Sequence, residues 1–173
     1  MKLAETIEHV FSSRAKPAQV RLADEVIQLD DDVEDALWFS GRDWHELTWQ
    51  NWQEHSDAIF FFDPEAFAYY LPSILLLSAQ NPNESLNVAD SLIMELDRTP
   101  DPEGWTEGFV RRFLGLTPEE LGVLKDWLLQ LCEYIPYKGW GAAASGPGDT
   151  FGRAFDTIDL LQKEVERRRL ARG

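Results

Sequence analysis

The sequence predicts an all-α fold, a single compact domain over residues 1–173 with about six or seven helices. Three observations lead there. Apolar residues recur three and four apart in run after run, the period of a helix with one buried face. Helix starts with proline at the first helical position stand at Asp63-Pro64-Glu65 and Thr117-Pro118-Glu119-Glu120. The chain is 44% hydrophobic and carries seven Trp, which is ample for one core.

Leu3, Ile7, Val10 and Phe11 give the first helix, which Ser12, Ser13 and Pro17 bring to an end. Gln19 to Leu29 fits helix and strand spacing equally, and an extended or irregular segment is expected, with a short strand pair near Val20 to Phe39 as the alternative. Trp38, Phe39, Ser40 and Gly41 then mark a turn. Thr48 caps a helix bearing Trp49 and Trp52. The densest apolar run, Ala58 to Leu77, holds the central helix. Asp63 caps it, Glu65 suits its positive end, and its apolar residues fall nearly all round, so it must be buried on most sides. Pro72 removes a backbone hydrogen bond within it, and a kink is expected there. Asn81-Pro82-Asn83 breaks the chain, and Leu86, Ala89, Ile93 and Leu96 mark the next helix. Thr99-Pro100-Asp101-Pro102 ends that helix. Trp105, Phe109 and Phe113 mark another, and Thr117 with Glu120 forms a capping box for a helix that turns Leu121, Leu124, Leu128 and Leu131 inward. Residues 139–148 are a Gly-rich loop. Phe151, Phe155, Ile158, Leu161 and Val165 define a final helix over 151–173, whose basic end suits the negative helix terminus.

Two of these segments carry a resemblance. The pattern D-P-E-A-F-x-Y-Y-L-P-S-I-L-L (Asp63 to Leu76), followed by F-V-R-R-F-L-x-L-T-P-E-E-L (Phe109 to Leu121) and an apolar helix, resembles an uncharacterised family of bacterial cytosolic domains with an F-x-Y-Y-L-P core helix. The likeness covers roughly Trp44 to Cys132. Its residues are mostly apolar, so it implies a shared core and brings no catalytic residues. It also implies kinship with immunity-type proteins of toxin loci.

Charge narrows the function classes. The net charge is −15, which disfavours direct binding to nucleic acid or to an anionic membrane and favours a basic partner protein. Its distribution is uneven. Residues 24–57 hold eleven acids against one base, Arg42, a local charge of −10, whereas residues 163–172 carry +3. Met1 to Phe11 is amphipathic and lacks the apolar core of a secretory signal, and Ala66 to Ala79 is well short of the ~20 residues a membrane helix needs. A cytoplasmic location is expected. The single cysteine, Cys132, rules out an internal disulfide framework and any cysteine-based zinc cluster. In its apolar helix it reads as a small buried hydrophobe.

The catalytic signatures fail one by one. Gly139 to Ala144 matches a bare G-x-G-x-x-A, yet Ser145-Gly146-Pro147-Gly148 forbids the helix that a dinucleotide site needs. Gly141 to Gly146 has the spacing of a phosphate loop, but Pro147 and Gly148 stand where Lys and Ser or Thr belong. Asp30, Asp31, Asp32, Glu34 and Asp35 offer oxygens to calcium, but an EF-hand counted from Asp30 puts Asp35 at the glycine position and Gly41 at the bidentate glutamate. No catalytic residue, cofactor or metal is assigned.

One constellation survives, acids interleaved with large aromatics, as at a protein interface with aromatic anchors and a charged rim. The expected partner-binding residues are Asp30, Asp31, Asp32, Asp35, Trp38, Asp43, Trp44 and Glu46. Trp49 and Trp52 are expected in the core. The function that follows is a non-catalytic acidic binding module, an immunity- or antitoxin-like inhibitor of a basic partner such as a toxin. Two alternatives stand beside it. One is an enzyme with a site built from dispersed residues, for which His45, Glu65, Tyr69 and Tyr70 are the first suspects; the other is an oligomerisation module using the last helix.

Overall fold

The computed structural model describes residues 2–23, 30–134 and 150–172. Among these are eight α-helices: α1 (Leu3–Phe11), α2 (Asp30–Trp38), α3 (Trp49–Glu54), α4 (Pro64–Gln80), α5 (Asn87–Leu96), α6 (Glu107–Phe113), α7 (Pro118–Leu131) and α8 (Thr150–Arg172), with 3₁₀ turns at Trp44–Glu46, Ala58–Phe61 and Pro102–Gly104. Seven of the helices stand where the apolar spacing and caps place them. The eighth, α2, occupies the acidic run, where the apolar spacing predicts no helix. Three aspartates at its start favour the positive helix end, and Ala36 is fully buried. Gly41, with φ of 77°, makes the turn that follows, while Arg42 Nε donates to the Trp38 carbonyl at 2.9 Å and satisfies the end of the helix.

The alternative of a short strand pair near Val20 to Phe39 is not seen; the described residues contain no strand. What forms instead is one antiparallel bridge, Leu22 with Phe62. Ala23 N donates to the Phe61 carbonyl and Asp63 N to the Arg21 carbonyl, both at 2.8 Å. The extended residues before 24 are thus held by the chain entering α4. Val20 N donates to Ser40 Oγ at 3.0 Å, which also ties this stretch to the turn after α2.

The helix α4 is the axis of the fold. Asp63 Oδ1 accepts from Ala66 N at 2.8 Å, the N-cap contact that the Asp-Pro-Glu signature predicts. From there every residue from Ala66 to Leu75 is buried, Pro72 included, and the helix runs on through Pro72 to Gln80. Its neighbours α1, α5, α6, α7 and the first two 3₁₀ turns surround it. Two serines on α4 receive the indoles of flanking helices: Trp52 Nε1 donates to Ser73 Oγ at 2.8 Å, and Trp127 Nε1 to Ser78 Oγ at 2.9 Å. A buried indole N–H needs such an acceptor.

α8 covers α5 and α7 with Phe151, Ala154, Ile158 and Leu161. Arg153 fastens it by a bidentate pair to Asp97, with contacts of 2.5 and 2.8 Å. Beyond Val165 it is exposed through Ala171. There Glu164 accepts from Arg167 and Arg168, and these two guanidiniums hold its carboxyl down to about 2. Cys132 caps α7 and is half-buried, not part of the buried core, with Sγ 3.2 Å from the Leu129 carbonyl. The Gly-rich loop 139–148 lies outside the described residues. Among the described residues no helix is long and apolar enough to cross a membrane.

Candidate functional site

α2 aligns Asp31, Glu34, Asp35 and Trp38 on one helical face, because they stand at i, i+3, i+4 and i+7. Asp30 opens the helix. Asp31 and Glu34 are exposed, Asp32 is half-buried, and Leu37 is 40% exposed beside them. The end of this face is built around Trp38. The Arg42 guanidinium lies 3.8 Å from its ring centroid, and the His55 ring stacks on it at 4.4 Å. His55 Nδ1 in turn meets Asp35 Oδ1 at 2.9 Å. An acid of α2 and a histidine just past α3 thereby fix the same tryptophan.

A second group forms at the 3₁₀ turn Trp44–Glu46. Asp43 caps it, with Oδ1 accepting from the His45 backbone N–H at 3.0 Å and meeting His45 Nδ1 at 2.6 Å. The backbone donor first, then the His45 ring, hold the Asp43 carboxyl below the usual carboxylate range. Glu46 and His45 are exposed. Trp44 is only 3% exposed, covered by the His45 ring at 3.6 Å. This corrects its expected role: Trp44 is a core residue beneath the face and offers no anchor. Trp52 is fully buried and Trp49 half-buried against the core, as expected of them.

Of the residues suspected of catalysis, His45 and Tyr69 meet the same carboxylate, Asp43, and the Tyr69 and Tyr70 rings lie 4.9 Å apart. Glu65 is exposed on the first turn of α4, and His45 lies on the surface at the 3₁₀ turn. Tyr69 is buried, and burial first, then the Asp43 charge, pushes its hydroxyl pKa up. Tyr70 is fully buried and pushed up further, chiefly by desolvation. Its hydroxyl is structural, 2.6 Å from the Phe39 carbonyl and 3.0 Å from that of Arg42, so it pins the turn that ends α2. Tyr70→Phe is expected to cost about 2 kcal/mol by urea unfolding, because two carbonyls lose their donor. A loss as small as that of a surface change would remove Tyr70 from this role. Among the described residues no group of three or more His, Cys, Asp or Glu is placed to hold a metal ion.

The clefts lie elsewhere. One of about 550 Å³ separates Leu116, Pro118 and Glu119 from Val165, Arg168 and Arg169, and a neighbour of about 500 Å³ adjoins His9, Arg14 and Glu120. A third, of about 440 Å³, runs between the 3₁₀ turn Ala58–Phe61 and α5, with Asp57 and Phe60 on one wall and Asp90, Met94, Glu95 and Arg98 on the other. None of the three is lined by His45, Glu65, Tyr69 or Tyr70. Sequence reasoning missed the third. Its signal was Met94, an apolar residue four places after Asp90 on the polar side of α5 and 57% exposed in the fold.

These features define a helical domain with an acidic, aromatic-backed face. The chain belongs to a protein family of unknown function, DUF6714, which matches residues 1–128. The match takes in α1 to α6 and α7 as far as Leu128, including both segments that resemble an uncharacterised family; α8 lies outside it. No curated protein and no solved structure matches the chain.

Proposed function

We propose that the protein is a cytoplasmic, non-catalytic binding module whose acidic face engages a basic partner protein, in the manner of a bacterial immunity or antitoxin protein that inhibits a toxin. The observation that carries this reading is α2 itself: a helix with exposed Asp31 and Glu34, an exposed Leu37, and Trp38 set between Arg42 and His55 at its end. Asp30, Asp32, Asp35, Asp43 and Glu46 extend the negative field around it. Such a field steers a cationic partner and sets the rate of encounter more than the lifetime of the complex. Trp38 and Leu37 supply the apolar contact that slows release. α8 is committed to α5 and α7 along much of its length, which leaves the oligomerisation alternative only its last turns.

The test is affinity capture from the native lysate at low and high salt, with wild type beside an Asp31→Lys/Glu34→Lys variant. Both changes are on exposed positions and leave the Asp35–His55 pair intact. Wild type is expected to retain one basic protein, less of it at high salt, and the variant to associate with that protein at least about tenfold more slowly. Equal capture by the variant overturns the reading.

A further inference from the structure

The cleft between the 3₁₀ turn Ala58–Phe61 and α5 continues the acidic segment, because Asp57 ends that segment and forms part of one wall. It is fastened to α3 as well, Gln53 Oε1 accepting from Asn87 N at 3.2 Å. Its charges divide into two kinds. Glu95 is neutralised, with Arg98 at 2.6 Å and Arg112 at 3.0 Å from the same oxygen. Arg98 is equally committed: its Nε donates to the Glu95 carbonyl at 2.8 Å and its guanidinium lies 4.6 Å from the Phe109 centroid. Asp57 and Asp90 have no ion pair among the described residues. Asp90 Oδ2 accepts from the Ser85 hydroxyl, whereas Oδ1 is buried with no hydrogen-bond donor. A buried acceptor left in that state is costly. Phe60 and the exposed Met94 give the walls an apolar stretch.

An apolar stretch leading to two carboxylates without an ion pair among the described residues is the complement of one side-chain type, a long aliphatic stem with a cationic head. We propose that this cleft takes a single lysine or arginine side chain of the basic partner, its stem along Phe60 and Met94 and its head at Asp57 and Asp90. The proposal rests on the acidic-face reading above and adds a defined anchoring pocket beside that face. The cleft supplies the lock on one residue, and α2 supplies the long-range attraction.

Met94 makes the test direct, since the chain has only two methionines and the other is Met1. The full chain, carrying carbon-13 methionine methyl groups, is titrated with N-acetyl-arginine amide, N-acetyl-lysine amide and the neutral N-acetyl-norleucine amide, and the Met94 methyl resonance is followed. A saturable shift with a cationic probe is expected, at least about fivefold weaker with the neutral probe, and weakened about fivefold or more by Asp90→Asn. Asp57→Asn, on an exposed residue, is expected to weaken it too and guards against a folding defect in the first variant. A silent Met94 resonance, an equal response to the neutral probe, or a response indifferent to both substitutions overturns the proposal. The two readings fail separately. Loss of partner capture on reversing Asp31 and Glu34, with Met94 silent, keeps the acidic face and removes the cleft; an Asp90-dependent Met94 shift with unchanged capture does the reverse.

Discussion

Trp52→Ala is expected to lower stability by about 4 kcal/mol in urea unfolding, the middle of the range for deleting a buried aromatic. Trp52 is fully buried and packs on Phe39 at a tilt, with centroids 4.8 Å apart. Phe39 itself meets Phe62 at 5.3 Å and Tyr70 at 5.4 Å, so the cavity opens in the middle of an aromatic cluster that cannot collapse without moving α4. The indole also occupies a polar position. Its N–H donates to Ser73 Oγ, and that hydroxyl donates to the Tyr70 carbonyl at 2.9 Å. Trp52→Phe keeps a ring and loses the N–H, for an expected cost of about 1–2 kcal/mol. Domains of this size have roughly 5–15 kcal/mol in total, so a loss of about 4 kcal/mol removes a large share of it. Trp49, half-buried one turn away, is the control. If Trp49→Ala costs as much as Trp52→Ala, the aromatic cluster is not what holds α3 to α4.

The parts of this fold that can be read from the sequence are those decided by neighbours in the chain. Asp63-Pro64 and Thr117-Pro118 carry their own capping donors and acceptors, and both open helices as their chemistry requires. The apolar run after Asp63 has no polar face to leave in water, so its burial on all sides follows from composition. α2 was hidden because its support comes from outside the segment. Its apolar contribution is small: among its described side chains only Ala36 is fully buried. Its end is fixed instead by His55, Arg42 and the Tyr70 hydroxyl, which no local pattern announces. The same limit applies to Leu22, whose bridge partner Phe62 is remote in sequence. Trp44 was misplaced for a related reason. An acid-flanked tryptophan after glycine has the composition of a loop, and only the packing of the 3₁₀ turn against α4 buries it. For the candidate site, the surface charges Asp31, Asp43 and Glu46 were legible because acids stay in water. The cleft was not, since Asp57 and Asp90 come together only through the packing of α3 on α5.

Arg14→Met is expected to cost about 3 kcal/mol, a large effect for a residue on the short connection after α1. Arg14 reaches Glu120 with Nε at 2.6 Å and Nη2 at 2.5 Å, and its Nη2 also donates to the Gly115 carbonyl at 2.9 Å. Glu120 is 2% exposed. Its Oε2 also accepts from Thr117 N at 2.7 Å, completing the capping box of α7. Without the guanidinium, the buried carboxylate keeps one neutral donor for a full charge, and an uncompensated buried charge is what makes a broken pair so costly. The double variant Arg14→Met/Glu120→Gln separates this from loss of contact. Glutamine keeps the cap acceptor and brings no charge, so the double variant is expected to recover about 1–2 kcal/mol of the loss. A double variant no more stable than Arg14→Met alone would mean that the cap, and not the arginine, carries the Glu120 charge. The joint then fails with α7 itself and not as a clasp between α1 and α7. The two outcomes also predict different first steps of unfolding: with the clasp broken, α1 leaves the side of α4 while the α7 cap remains, and amide exchange in α1 is expected to rise before exchange in α7.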